Sequence, residues 1–189
     1  MNDKDIMALF KKTKAFMTGH FRLSSGLHSG HYLQCALVLQ YPKYAEQLCR
    51  ELARKFKKDR PTAVIGPAMG GMLVSYETAR QLGARSLFTE RQEGRMMLRR
   101  EFKLDKKDRV LAVEDVVTTG GSLKEVIRIV KESGAALIGV GSIVDRSGGT
   151  AKFGARFESL LKLNIETFPQ EKCPLCEENI EIAKPGSRK

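Results

Sequence analysis

The segment richest in usable chemistry is Val110-Leu111-Ala112-Val113-Glu114-Asp115-Val116-Val117-Thr118-Thr119-Gly120-Gly121-Ser122. Its apolar run ends in two adjacent acids. This predicts a buried strand over 109–115 that carries both carboxylates to its C-terminal end, where open α/β sheets bind ligands. The hydroxyls of Thr118, Thr119 and Ser122 follow, and Gly120 and Gly121 let backbone N–H groups approach an anion closely. A helix predicted from Leu123 to Glu132 adds the attraction of its N-terminal dipole, so the loop suits a phosphate. Glu114 and Asp115 would repel that phosphate and suit vicinal hydroxyls instead, such as those of a ribose. The two halves together imply a ribose 5-phosphate ligand. An ordinary strand-to-helix turn explains TTGGS alone, but carboxylates ending a buried strand are costly unless used. Neither G-x-x-x-x-G-K-S/T nor a strand-following G-x-G-x-x-G occurs.

Alternating helices and strands must position this segment. Apolar spacing predicts an amphipathic helix from Asp3 to Phe16, a hairpin over 19–34, and a helix opened by Pro42 and running to about Lys57. TAVIG (62–66), SLF (86–88) and ALIGVGSIVD (136–145) read as further strands, and Gly70 to Leu82 as a helix stopped by Gly83. Strands alternating with helices indicate an α/β fold with a mostly parallel central sheet flanked by helices. Residues 1–189 read as a single domain: an N-terminal helix and hairpin region (1–60), an α/β core (61–168) and a C-terminal tail (169–189), polar and loosely held from 177 onward.

The chain has 189 residues, 33 Lys+Arg against 22 Asp+Glu, and 42% hydrophobic residues, enough for a packed core without disulfides. The net charge of +11 is uneven: residues 1–60 carry +7, residues 89–109 carry +3, and the stretch from 110 onward is neutral. The uncharged stretch Pro61 to Tyr76 is broken by Gly66, Pro67, Gly70 and Gly71 and is too short to span a bilayer. The N-terminus carries acids where a secretory signal needs basic residues. Cys35 and Cys49 read as packed thiols of a cytoplasmic protein. Cys173 and Cys176 form a C-P-L-C pair with no second pair and no sequence-adjacent His. A turn starting at Pro174 is the first reading, with a metal or redox role as the alternative. His20, His28 and His31 all fall in the hairpin and read as surface-loop residues, with a loose metal site as the alternative.

VLAVEDVVTTGGS resembles the phosphoribosyl-pyrophosphate loop of type I phosphoribosyltransferases. GHFRLSSGLHSGHY, VIGPAMGGMLVSYETARQLG, FTERQEGRMMLRREF and SIVDRSGG extend the likeness to the orotate phosphoribosyltransferase family. The resemblance implies the type I fold with an N-terminal hood, a homodimer, Mg²⁺, and transfer of phosphoribosyl from its pyrophosphate to orotate. It implies that Glu114 and Asp115 hold the ribose hydroxyls, that Thr118, Thr119, Gly120, Gly121 and Ser122 hold the 5′-phosphate, and that Val116 and Val117 belong to the same phosphoribosyl-pyrophosphate-binding segment. Ala68, Met69, Gly70 and Gly71 would form the pyrophosphate loop. Tyr32, Thr118 and Arg146 would meet orotate, the guanidinium pairing with its carboxylate. Arg91, Arg95, Arg99 and Arg100 would sit on a mobile catalytic loop reaching the neighbouring subunit, Arg91 also touching phosphoribosyl pyrophosphate. Mg²⁺ would be held mainly by substrate oxygens rather than by side chains.

The chain departs from the family pattern at three basic positions. Ser24 and Leu27 flank the hairpin's Ser-Gly where many members carry lysine, Gly70 replaces a lysine of some members, and Arg91-Gln92 stands for an Arg-Lys pair. Two alternatives use the same loop. A purine-base phosphoribosyltransferase would usually present an aromatic residue from the segment that here reads SIVDRSGG. A phosphoribosyltransferase-like nucleic-acid-binding regulator would use the N-terminal charge, but residues 1–60 are already occupied by helix, hairpin and helix.

Overall fold

The computed structural model describes residues 1–23 and 25–185; Ser24 and the tail residues 186–189 lie outside the described residues. The chain opens with α1 (Asp3–Lys12), held by a reciprocal cap between Asn2 and Asp5 in which each backbone N–H donates to the other's side chain. The hairpin of β1 (Phe16–Arg22) and β2 (His28–Leu33) follows, then a single turn, α2 (Ala36–Leu39), and α3 (Pro42–Phe56). The remaining elements are β3 (Ala63–Pro67), α4 (Gly70–Leu82), β4 (Arg85–Gln92), β5 (Arg95–Leu98), β6 (Arg109–Val117), α5 (Gly121–Glu132), β7 (Ala136–Asp145), β8 (Phe157–Lys162), α6 (Pro174–Glu177) and β9 (Ile182–Ala183). The first helix is shorter than its periodicity predicts, because Lys14 turns left-handed (φ 56°) and Phe16 already pairs with Leu33.

Six strands form the main sheet in the order β5-β4-β3-β6-β7-β8. All neighbours are parallel except β4 and β5, an antiparallel hairpin at one edge. This is the expected α/β fold with a mostly parallel sheet. Alternation along the central strands splits the core between the two faces. Val64, Leu111 and Val113 pack with α1 to α4 on one face, while Ala63, Ile65, Val110, Ala112 and Val117 pack with α5 on the other.

The apolar stripe of α3 is where sequence and packing agree most closely. Leu48, Leu52 and Phe56 are fully buried. The Phe56 ring lies against β7 where a Cβ on Gly139 would approach it to 2.6 Å. Arg156 covers the ring's other side, its guanidinium carbon 4.7 Å from the centroid. Truncation there would leave a cavity bounded by two elements.

A second sheet, ordered β2-β1-β9, joins the hairpin to the C-terminal segment. The stretch from 177, expected to be loosely held, is therefore paired to the hairpin within its described residues. Strand β9 runs parallel to β1 with Ile182 opposite His20, and Cys173 is buried. The histidines also depart from expectation: His20 and His28 are buried, while His31 stacks on Phe16 with ring centroids 5.1 Å apart. Phe56→Ala should lower stability by about 3–5 kcal/mol. Urea unfolding would show this as a fall in midpoint with little change in slope.

Candidate active site

Strand β6 ends at the topological centre of the sheet, between β3 and β7, and delivers Glu114 and Asp115 on consecutive positions. Consecutive strand residues point to opposite faces. Glu114 accordingly lines a cavity of 540 Å³ with Arg91, Thr118, Thr119, Gly121 and Ser122. Asp115 faces a larger cleft of 1010 Å³ that also contains Tyr32, Arg146 and Ser147. The two spaces share Val116, Thr118 and Thr119, so they form one continuous site split by the strand end.

The loop after β6 is built for close approach. Gly120 caps α5 in the left-handed conformation (φ 75°), and a Cβ there would lie 2.8 Å from the Phe153 ring, so no other residue fits. The first N–H groups of α5 have no carbonyl within their own helix and face an approaching anion. Thr118 and Thr119 are exposed beside them. Val117 differs from the other loop residues. Its side chain is fully buried in the core and its carbonyl accepts the Arg146 N–H at 2.7 Å, which ties the end of β6 to the segment after β7.

Both carboxylates sit in an unfavourable place for charge. Burial, then the neighbouring Asp115, raises Glu114 to about 8, with the Ser122 hydroxyl opposing. Burial also raises Asp115, opposed by backbone N–H groups. Gly70 explains why the adjoining loop carries no side chain at that point: a Cβ there would run into the Asp115 carboxylate. Of the expected pyrophosphate loop, Gly70 thus packs at Asp115 and Gly71 against Pro67, while Ala68 and Met69 are exposed.

Arg146 is one of the cationic groups that line the larger cleft. It leaves the C-terminal end of β7 half-buried, and its Nε is buried without a hydrogen-bond partner among the described residues. Burial lowers its basicity, opposed by Tyr32 and Cys35. A guanidinium in that position is prepared for an anion. The expected catalytic loop is a β-hairpin, β4–β5, turning at Glu93-Gly94. Arg91 reaches the smaller cavity and pairs with Glu125 at 2.6 Å, and Arg100 pairs with Glu90 at 2.8 Å. Arg95, Arg99 and Arg100 are exposed and line neither cavity.

The cleft also contains residues that sequence reasoning missed: Arg22, Leu23 and Leu27 of the hairpin, and Ile165, Thr167 and Lys184 of the C-terminal segment. The hairpin residues were within reach of a pattern argument. Nothing in the local sequence around Lys184 signals that its segment returns to the site. Cys35 and Cys49 are packed thiols, burial holding Cys49 at about 12.

A parallel sheet, an acid pair at its central strand and a hydroxyl-glycine loop opening a helix define a phosphoribosyltransferase. The phosphoribosyl transferase domain model matches residues 39–171. Orotate phosphoribosyltransferases of Desulforamulus reducens and Caldanaerobacter subterraneus are 55% and 56% identical over 188 and 189 residues, covering 100% of this chain and 98% and 100% of theirs. The orotate phosphoribosyltransferase structure from Aeropyrum pernix superposes with a TM-score of 0.71 at 27% identity, covering 84% of this chain and 93% of that one. The chain belongs to the phosphoribosyltransferase family and, within it, to the orotate phosphoribosyltransferases. No helix among the described residues is long and apolar enough to cross a membrane.

The raised Glu114 has a measurable consequence. Its folded value near 8 lies above the ordinary 4.5, so the folded state binds more protons than the unfolded state between those values. Stability contributed by the neutral carboxyl is complete below 4.5 and is lost as pH rises through about 8. Glu114→Gln should therefore flatten the fall of Tm across this interval in ligand-free protein. Parallel wild-type and variant profiles would contradict the assignment.

Proposed function

We propose that the chain transfers the phosphoribosyl group of 5-phosphoribosyl 1-pyrophosphate to orotate, giving orotidine 5′-monophosphate and pyrophosphate. The observation that carries this reading is the placement of the half-buried Arg146 guanidinium, whose Nε has no partner among the described residues, on the Asp115 side of a cleft whose other side is the glycine-hydroxyl loop. The loop Thr118 to Ser122 grips the 5′-phosphate through hydroxyls and backbone N–H groups. Glu114 and Asp115 accept hydrogen bonds from the ribose hydroxyls, which fixes the sugar with C1 toward the larger cleft. Arg146 and Tyr32 hold the base there, the guanidinium on its carboxylate.

Two hard carboxylates at the cleft also fit a divalent cation, since burial holds both above the ordinary range and a cation would favour their ionised forms. Mg²⁺, bound mainly on pyrophosphate and ribose oxygens, would neutralise charge on the leaving group. The protein's task is then positional. C1–O cleavage is dissociative with oxocarbenium character and releases pyrophosphate, while a nitrogen of the base, positioned through the carboxylate that Arg146 holds, attacks C1 with inversion and gives up its proton to the departing pyrophosphate or to solvent. This path needs no nucleophilic side chain.

The loop arginines complete the reading. Arg95, Arg99 and Arg100 lie off their own cleft, on and beside edge strand β5. We assign them to the pyrophosphate of a neighbouring subunit in a homodimer, where they stabilise charge on the departing oxygens and exclude water. Residues 1–60 act as a hood over the base, in keeping with the position of Arg22, Leu23 and Tyr32. Four free thiols are in keeping with a cytoplasmic enzyme.

The decisive measurement follows orotate absorbance with phosphoribosyl pyrophosphate and Mg²⁺, against adenine, hypoxanthine and uracil. Turnover of orotate alone is expected; turnover of a purine would favour the alternative. Arg146→Ala should raise KM for orotate roughly 10- to 100-fold, the range expected for a lost charge-assisted contact, with little change for the sugar pyrophosphate. Asp115→Asn should lower kcat by roughly 100-fold or more while the fold persists. Mixing inactive Asp115→Asn with an inactive Arg99→Ala, Arg100→Ala double variant should restore partial activity through hybrid dimers. Absence of restoration would place the arginines on their own subunit's site.

A further inference from the structure

Four metal-binding side chains outside the cleft converge on one point. His20 comes from the middle of β1 and His28 from the start of β2. Cys173 and Cys176 come from the C-terminal segment at α6, more than 140 residues away in sequence. The His20 Nε2 lies 3.0 Å from His28 Nδ1, 3.6 Å from Cys173 Sγ and 3.7 Å from Cys176 Sγ. Cys176 Sγ is 3.2 Å from His28 Nδ1, and the four ligand atoms all lie within 4.8 Å of one another. Zn–S bonds of about 2.3 Å and Zn–N bonds of about 2.0–2.1 Å set tetrahedral ligand separations of roughly 3.3–3.8 Å. The observed separations fall around that range.

The surroundings point the same way. His20, His28 and Cys173 are 3%, 2% and 1% exposed, so these polar groups face one another rather than water. The other ring nitrogen of His20 lies 2.8 Å from the Ile180 carbonyl, which can only accept. The proton therefore sits on Nδ1, and Nε2 presents a lone pair to the cluster, the arrangement typical of a ligating imidazole held by a carbonyl. C-x-x-C is also the spacing at which one turn of chain offers two thiolates to one ion. A hydrogen-bonded cluster without an ion does less well, because three neighbouring groups then crowd the single lone pair of His20 Nε2.

We infer that His20, His28, Cys173 and Cys176 form a closed Cys₂His₂ site for one Zn²⁺, whose binding displaces the two thiol protons and fastens the C-terminal segment to the substrate hairpin. Two thiolates and two imidazoles in a tetrahedron favour zinc over hard cations such as Mg²⁺. All four positions are filled from the protein, which makes the site structural rather than catalytic. Its reach is functional nonetheless. The segment it fastens carries Lys184 and Pro185 to the large cleft, and the hairpin it grips carries Arg22 and Leu23 to the same space.

The test uses the full-length chain, purified under reducing conditions without a polyhistidine tag. Elemental analysis should find about one zinc per chain. After chelator treatment, added Co²⁺ should give the intense visible bands of tetrahedral cobalt together with a thiolate charge-transfer band, saturating near one equivalent. Cys173→Ser and Cys176→Ser should each lose the bound zinc and weaken the charge-transfer band, whereas His31→Ala should keep both. Wild-type protein that carries no zinc and takes up no Co²⁺ would overturn the site. So would recovery of Cys173 and Cys176 as a disulfide, or wild-type zinc content in both cysteine variants. The cobalt titration needs no variant, so misfolding of a substituted chain would not protect the proposal.

Discussion

The structure is organised around two carboxylates that a buried strand carries into a place where neither is comfortable. Strand β6 is apolar through Val113 because it runs between β3 and β7 with helices on both faces. Its next two residues are acids in the same low-dielectric setting, and burial holds both above the ordinary carboxylate range. Several neighbouring features accommodate that one constraint. Gly70 gives up its side chain to the Asp115 carboxylate, and Gly120 gives up its own to Phe153 while turning the loop into α5. The strand's alternation then turns the two carboxylates toward opposite sides of one site.

Legibility in the sequence tracked how local each cause was. The run from Val110 to Ser122 holds its strand, acids and loop within one stretch, so its chemistry could be read residue by residue. Helix α4 and strand β7 matched their predicted limits because Gly83 and Ser133-Gly134 punctuate them locally. Strand β4 extends beyond SLF because its second half runs past the end of β3 and pairs with β5 at the sheet's edge, where charged residues face solvent. Strand β8 (FESLLK) mixes polar and apolar positions at a sheet edge, and β9 is two exposed residues paired, among the described residues, with β1 alone. Neither carries a periodic signal.

The histidines and the C-P-L-C pair show the same limit more sharply. Each group alone supports a bland reading, and the reason they belong together is a sheet pairing between the hairpin and the far end of the chain. The basic excess is likewise resolved by position. Arg91 ties β4 to α5 through Glu125, and Arg100, just beyond β5, pairs with Glu90 of β4, so part of the charge near residue 100 fastens the hairpin in place. Much of the N-terminal excess lies on the exposed sides of α1 and α3, including Lys4, Lys11, Arg54 and Lys55.

The elevated Glu114 couples occupancy of the cleft to the solvent's proton inventory. A carboxyl that is largely neutral at pH 7 must release its proton to serve as an acceptor for sugar hydroxyls or a neighbouring cation. Ligand capture near neutrality would then deliver a fraction of a proton to the medium, and calorimetric heats would depend on the ionisation enthalpy of the buffer. The same exchange makes the apparent affinity strengthen toward alkaline pH, in the direction opposite to the folded chain's own stability.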